Sequence, residues 1–198
     1  MSEKPYISRK EQAQLTQKKI FDTTLVLIRK KGYQKVTIRE ICQNTQISIG
    51  TFYLYFSSKD DILLETFNKL DYKVTAPELS DSYSVSNWIC DYFRIYLETL
   101  ISTFDKSLLR EICRIHLTSG NNEFLSKDRP MIQNITAILE KEQYRLLSDE
   151  SPYILCQKIH MFMQSYLFHW LSDNNIENCF LTETSINDLK NFLTLYIS

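Results

Sequence analysis

The stretch from Thr37 to Phe56, TIREICQNTQISIGTFYLYF, decides the fold, because two short helical patterns and a tight connection fit into its twenty residues. Thr37 and Glu40 have the S/T-x-x-E spacing of a capping box, so a helix starts at Thr37 with Ile38 and Ile41 on its inward stripe. Ser48 is the next N-cap candidate, and a second helix is predicted from Ile49 to Tyr55. Phe52 and Phe56 lie four apart and face inward, which leaves Ile49, Gly50, Thr51, Tyr53 and Tyr55 on the outer side. Two helices so close together form a helix-turn-helix, in which one helix lies in a major groove about 12 Å wide while the other braces it.

Working outward, Ile20, Phe21, Leu25 and Ile28 recur at helical spacing within a helix predicted from about Lys10 to Lys31. Its last turn is Arg29-Lys30-Lys31, which suits the helix dipole, and Gly32 can take a left-handed cap. The first nine residues, with Pro5, are expected to be a flexible arm from which Arg9 and Lys10 reach a groove. On the other side, Ser58-Lys59-Asp60-Asp61 opens a helix that fades before Pro77. Thr37, Ser48 and Ser58 thus mark three helix starts in one segment, and free backbone donors at such starts bind phosphate.

The charge is divided in the same way. The chain has a net charge of -1 over 198 residues, but residues 1–60 hold eleven Lys and Arg against five Asp and Glu, and the remainder twelve against nineteen. A basic head on an acidic body presents one face to phosphates. Three glycines and four prolines are few for this length, which favours long helices and short joints. The fold class expected is all-α with about nine helices. No apolar run approaches the roughly 18 residues of a membrane span, so a cytoplasmic protein is expected.

The segment resembles the amino-terminal DNA-binding domain of the TetR family of transcriptional regulators. The match is carried by Thr37-Ile38-Arg39-Glu40-Ile41, by Ile47 to Phe56, and by Ser58-Lys59-Asp60-Asp61. The resemblance implies that Thr37 and Lys59 touch phosphate at helix starts, that Tyr53 and Tyr55 lie on the DNA backbone, and that Arg39 with Ile49, Gly50 and Thr51 is nearest the bases. Ser48 joins this set as a donor at the start of the groove helix. Where the family usually has small residues and a turn glycine, this chain has Cys42, Asn44, Thr45 and Gln46. A Gln in a left-handed turn costs about 1 kcal/mol relative to Gly, so a slightly reshaped turn is expected.

The body carries further helical patterns from Ser84 to Phe104, from Leu108 to Leu117 with a stop near Gly120-Asn121-Asn122, and from Pro130 through Ile132, Ile135, Leu139 and Leu146. Two more run from Pro152 to about Leu171 and from about Thr184 through Ile197. The domain organisation expected is an arm over 1–9, a DNA-binding domain over 10–58, and a ligand-binding and dimerisation domain over 59–198. Family members bind small molecules between helices of the body, and Trp88, Tyr92, Phe93, Tyr96, Phe162, Met163 and Tyr166 are the candidate lining for a hydrophobic or aromatic effector; ordinary core packing explains the same residues. The last two helices are apolar on more than one side. They are expected to pair with a second copy through Leu167, Trp170, Leu171, Leu189, Phe192, Leu193 and Tyr196.

No phosphate loop, HExxH, CxxC pair or nucleophile elbow is present, and His116, His160 and His169 have no metal-ligand spacing, so neither an enzyme nor a cofactor is expected. The five cysteines, Cys42, Cys90, Cys113, Cys156 and Cys179, are expected to be buried free thiols, with Cys113 between Arg110 and Arg114 the candidate reactive one. The function expected is a homodimeric repressor that a small molecule releases from palindromic operator DNA. The alternative is a DNA-bound activator or chromosome-organising factor that acts through a protein partner.

Overall fold

A computed structural model describes residues 8–78, 84–119, 123–142, 146–147 and 149–198. The greater part of the expected arm and the expected stop at Gly120-Asn121-Asn122 lie outside the described residues. Contacts divide the chain into two compact units, Met1–Thr66 and Phe67–Ser198. Among the described residues there are nine α-helices and no β-strand beyond a single bridge.

In the first unit, α1 (Arg9–Lys31) opens on a complete capping box. Ser8 Oγ accepts from the Glu11 amide at 3.2 Å, and the Glu11 carboxylate accepts from the Ser8 amide at 2.8 Å. Arg9 and Lys10 therefore sit in the first helical turn and not in a free arm. Gly32, at φ 82°, closes the helix, and its amide donates to Ile28 O. A 3-10 turn (Tyr33–Lys35) leads to α2 (Ile38–Thr45), α3 (Ile49–Tyr53) and α4 (Lys59–Asp71). Ile20, Thr24 and Ile28 form the buried stripe of α1, and with Ile41, Phe52, Phe56, Ile62 and Leu63 they make the core of this unit.

The connection between α2 and α3 keeps a left-handed closure despite lacking glycine. Gln46 sits at φ 58°, ψ 44°. Its amide donates to Gln43 O at 3.3 Å, and the Ile47 amide donates to Cys42 O at 3.1 Å, the two bonds of a Schellman closure. Lys19 Nζ, from α1, donates to the free Thr45 carbonyl at 2.7 Å, and Thr45 Oγ1 donates back to Ile41 O at 2.7 Å. The turn is thus not reshaped. Tertiary bonds hold its geometry, and Gln46 carries the strain.

The second unit contains the end of α4 with α5 (Val85–Thr103), α6 (Lys106–Ser119), α7 (Pro130–Lys141), α8 (Pro152–Ser172) and α9 (Ser185–Leu193), which follows a π turn (Phe180–Thr184). Ser84 and Ser151 cap α5 and α8. Two cations from α6 close the far end of α8: Arg110 Nε donates to Leu171 O at 2.7 Å, and Lys106 Nζ to Asp173 O and Ile176 O at 2.9 and 2.6 Å. Leu146 and Ile197, expected on helices, instead form an antiparallel bridge, with the Leu147 amide donating to Tyr196 O at 2.8 Å. Extended backbone at both positions takes up bonds that a helix would have made internally. No helix is long and apolar enough to cross a membrane among the described residues.

Replacing Gln46 with Gly removes the left-handed penalty of a side chain, part of which the greater freedom of unfolded glycine offsets. Gln46→Gly is expected to raise stability by about 1 kcal/mol in urea unfolding. A loss of stability would mean that the Gln46 side chain contributes contacts that outweigh the strain.

Candidate nucleic-acid interface and cavity

Each helix start in the first unit is built by a local hydroxyl. Thr37 Oγ1 accepts from the Glu40 amide at 3.3 Å, Ser48 Oγ from the Thr51 amide at 3.0 Å, and Ser58 Oγ from the Asp60 and Asp61 amides at 3.1 and 3.2 Å. The Glu40 carboxylate, expected to complete a capping box, pairs with Lys31 and ties the end of α1 to the start of α2. Ser48 and Thr51 hydroxyls are 2.8 Å apart, so each already has one partner.

Thr37, Arg39, Ser48, Ile49, Gly50 and Tyr53 are exposed, and Thr51 and Tyr55 are half-buried. A Cβ at Gly50 would meet only Ser48 Oγ, at an ordinary 3.7 Å, so nothing within the unit requires glycine there. Leu54 is 80% exposed at the end of α3, an apolar side chain on the same element that sequence spacing did not single out. Lys59 differs from the rest. Its Nζ donates to Tyr33 O at 2.9 Å and Val36 O at 3.1 Å and lies 4.0 Å from the Tyr33 ring centre, while the Tyr33 hydroxyl bonds Asp60. These contacts join α4 to the turn after α1.

In the second unit a cavity of about 30 Å³, the room of one water, lies among Phe67, Phe93, Tyr96, Phe124, Met131 and Met163. Arg129, His160, Gln164, Leu97 and Leu167 complete its wall. Of the expected lining it gathers Phe93, Tyr96 and Met163. Trp88 and Tyr92 stack on each other at 5.3 Å elsewhere in the core, and the Trp88 indole donates to Pro77 O at 2.8 Å. Phe162 and Tyr166 belong to a separate aromatic cluster, with Phe162 stacked on Phe192 at 4.6 Å and Tyr166 against Phe180 at 5.6 Å. The Tyr166 hydroxyl donates to Asp188 at 2.6 Å, and burial together with that bond pushes its pKa up.

Sequence spacing did not flag the polar centre beside the cavity. Arg129 is buried, and its Nε and Nη2 each donate to Asp71 at 2.8 Å in a bidentate pair. Nη2 also donates to Tyr96 Oη at 3.0 Å, and Nη1 to Phe124 O at 2.8 Å. His160 Nε2 faces Nη1 at 3.5 Å. Burial, reinforced by the Arg129 charge, drives the His160 pKa down to about 3, and burial raises the Tyr96 hydroxyl pKa.

The expected dimer residues separate by exposure. Trp170, Leu171, Leu189 and Leu193 are buried, and Leu167 lines the cavity. Phe192 and Tyr196 are half-buried, with ring centres 5.1 Å apart. The outward apolar stripe of α8 is instead Ile154, Met161 and Phe168, spaced by seven and 41%, 49% and 36% exposed. Cys42, Cys90, Cys113 and Cys156 are buried, whereas Cys179 is exposed. Burial lifts the Cys113 thiol to about 11 despite its arginine neighbours, which leaves it without thiolate character. Among the described residues no group of three His, Cys, Asp or Glu converges as a metal site.

Capped helices joined by a tight left-handed turn, with α3 exposed on one side and packed through Phe52 on the other, define a helix-turn-helix protein. The family model described as bacterial regulatory proteins, tetR family, matches residues 20–66. The transcriptional regulator YuxN of Bacillus subtilis is 42% identical over 52 residues, and the repressor KstR of Mycolicibacterium smegmatis 33% identical over 67. These matches span 26% and 32% of this chain, but only 18% and 33% of the two relatives. Over residues 20–66 the chain is thus similar to the amino-terminal domain of the tetR family. Over its length it shares the fold of the repressor FadR of Thermus thermophilus, solved with lauroyl-CoA, at a TM-score of 0.68 and 21% identity, covering 90% of this chain and 93% of that one. SmeT, repressor of a multidrug efflux pump of Stenotrophomonas maltophilia, aligns at 0.60 and 14% identity over 94% of this chain and 92% of its own.

His160 gives a test of the buried centre. Between pH 6.5 and about 3 an unfolded chain binds a proton at this side chain and the folded chain does not. Stability therefore falls as pH drops through that window, by up to about 1.4 kcal/mol per pH unit from this group. In urea unfolding from pH 6.5 to 4.5, His160→Phe is expected to lower the slope by about one proton's share. An unchanged slope would mean that His160 is protonated in the fold.

Proposed function

We propose that the chain is a dimeric, sequence-specific DNA-binding repressor that a small apolar molecule releases from its operator. The observation that carries this reading is the outer side of α3. Ile49, Gly50 and Tyr53 are exposed beside three capped helix starts, and no internal packing demands glycine at position 50. Gly50 lets backbone approach the duplex closely, Ser48 and Thr51 offer hydroxyls, and Arg39 offers a bidentate donor for guanine. Thr37, Tyr53 and Tyr55 address phosphates. Lys59 fixes the start of α4 through Tyr33 O and Val36 O, beside the helix start proposed to meet phosphate.

The first unit, in this reading, holds the DNA and the second holds effector and partner. The exposed seven-residue spacing of Ile154, Met161 and Phe168 suits packing against another helix, with Phe162 and Phe192 beside it, so a second copy is the proposed partner. Two copies of α3 would then lie about 34 to 36 Å apart, one turn of a palindromic site. FadR was solved with lauroyl-CoA and SmeT with triclosan, both with large apolar parts, which agrees with an apolar effector. The cavity holds only about 30 Å³, so binding requires its wall to open, and a ligand acts by favouring the opened state. The same exposed stripe supports a second reading, a different protein as partner.

On an operator recovered by selection from random duplexes, Thr51→Ala with Tyr53→Ala is expected to lower affinity by about tenfold or more. Unchanged affinity would remove the DNA contact from this face. In light scattering at micromolar concentration the chain is expected to run as a dimer, and Phe168→Glu as a monomer. A monomeric wild-type chain would favour the second reading.

A further inference from the structure

The cavity wall contains one polar group that nothing among the described residues satisfies. His160 is 6% exposed, lines the cavity, and has no hydrogen-bond partner at Nδ1. Its tautomer follows from its neighbour. Nε2 faces Arg129 Nη1 at 3.5 Å, and a guanidinium has donors only, so Nε2 presents its lone pair and the ring proton is on Nδ1. Burial and the adjacent cation keep the ring neutral, so it carries one N–H and no more. The cavity therefore holds a buried donor without an acceptor, and such groups are rare in folded proteins unless water or a ligand fills the vacancy.

The other polar side chains around it do not supply that acceptor. The four further N–H groups of Arg129 are directed to Asp71, Tyr96 and the Phe124 carbonyl. Both Asp71 oxygens are occupied by the guanidinium. Gln164 also lines the wall but makes no bond to Nδ1, and the remainder is aliphatic, aromatic or thioether: Leu97, Leu167, Phe67, Phe93, Phe124, Met131 and Met163. Methionine side chains rearrange at low energy, so the two thioethers are the parts of the wall that make room.

We propose that this cavity takes a compact apolar molecule bearing one acceptor oxygen, a carbonyl or similar group, which accepts the His160 Nδ1 proton. The inference rests on the reading of the second unit as an effector domain and names the effector's chemical class. The hydrocarbon body packs against Phe93, Phe124 and Met163, and the oxygen selects among hydrocarbons of equal shape. A molecule without an acceptor displaces whatever water serves Nδ1 and leaves the donor bare, which is the basis of the discrimination.

The test compares acetophenone with α-methylstyrene, which have the same shape and differ by oxygen in place of a methylene. Binding to the full chain is measured without DNA by calorimetric titration, so the outcome is independent of whether the chain represses anything. Wild type is expected to bind acetophenone about tenfold more tightly, and His160→Phe to bind both alike. In wild type, nitrogen-15 spectra of the imidazole are expected to show a protonated Nδ1 whose signal moves with acetophenone and not with α-methylstyrene, a readout that does not depend on the variant folding. Equal affinities in wild type, failure of both molecules to bind, a preference that survives His160→Phe, or an unprotonated Nδ1 would each overturn the proposal.

Discussion

The second unit depends on a buried guanidinium. Arg129 directs each of its five N–H groups to an acceptor: two to Asp71, and one each to Tyr96 Oη, Phe124 O and His160 Nε2. Those partners come from the end of α4, from α5, from the segment before α7, and from α8. A charge removed from water is tolerated only when pairing and hydrogen bonds are this complete, and loss of one partner typically costs about 3 to 5 kcal/mol. The geometry of the four segments is therefore constrained together. A shift at any one of them leaves a charge or a donor unsatisfied.

That constraint also accounts for the character of the neighbouring cavity. Burial, reinforced by the cation beside His160, disfavours a positive charge there, so the imidazole remains neutral where a free histidine would titrate. With Nε2 committed to the guanidinium side, the other ring nitrogen has no partner among the described residues, and the ring lines a cavity shared with Phe67, Phe93 and Phe124. The polar centre thus lies beside a wall that also contains the unbranched side chains of Met131 and Met163. Asp71 is also the last residue of α4, the helix whose first residues belong to the other unit.

The parts of this arrangement that could be read in sequence were those decided within a few residues. Thr37, Ser48, Ser58 and Ser84 mark helix starts because a hydroxyl and an amide two or three positions on make the bond by themselves. Ser8 and Glu11 obey the same rule and were legible by it, though the nearby Pro5 drew the reading toward a flexible arm. Asp71 and Arg129 are 58 residues apart, and no periodicity relates a carboxylate at a helix end to an arginine before Pro130. The aromatic side chains of α5 and α8 were recognisable as apolar stripes, yet which of them face a void and which face one another depends on packing. Trp88 and Phe93 share a helix and have different surroundings for that reason. The same limit applies to the outward stripe of α8, where apolar spacing does not distinguish buried Trp170 from exposed Phe168.

The turn at Gln46 illustrates how a locally unfavourable residue survives. Left-handed backbone at a non-glycine residue costs about 1 to 2 kcal/mol. Against it stand the two Schellman bonds, the Lys19 bond to Thr45 O, and the burial of Thr45 and Ile41 between α1 and α2. Each hydrogen bond contributes about 0.5 to 1.5 kcal/mol net, and the one from a charged lysine more, so together they exceed the strain. Departure from a turn glycine therefore changes the stability of the motif and not its geometry. The direction of α3 is set by Phe52 and Phe56 in the core and by a turn that α1 holds from outside, which is why the exposed set Ile49, Gly50 and Tyr53 keeps its place despite the unusual residue before it.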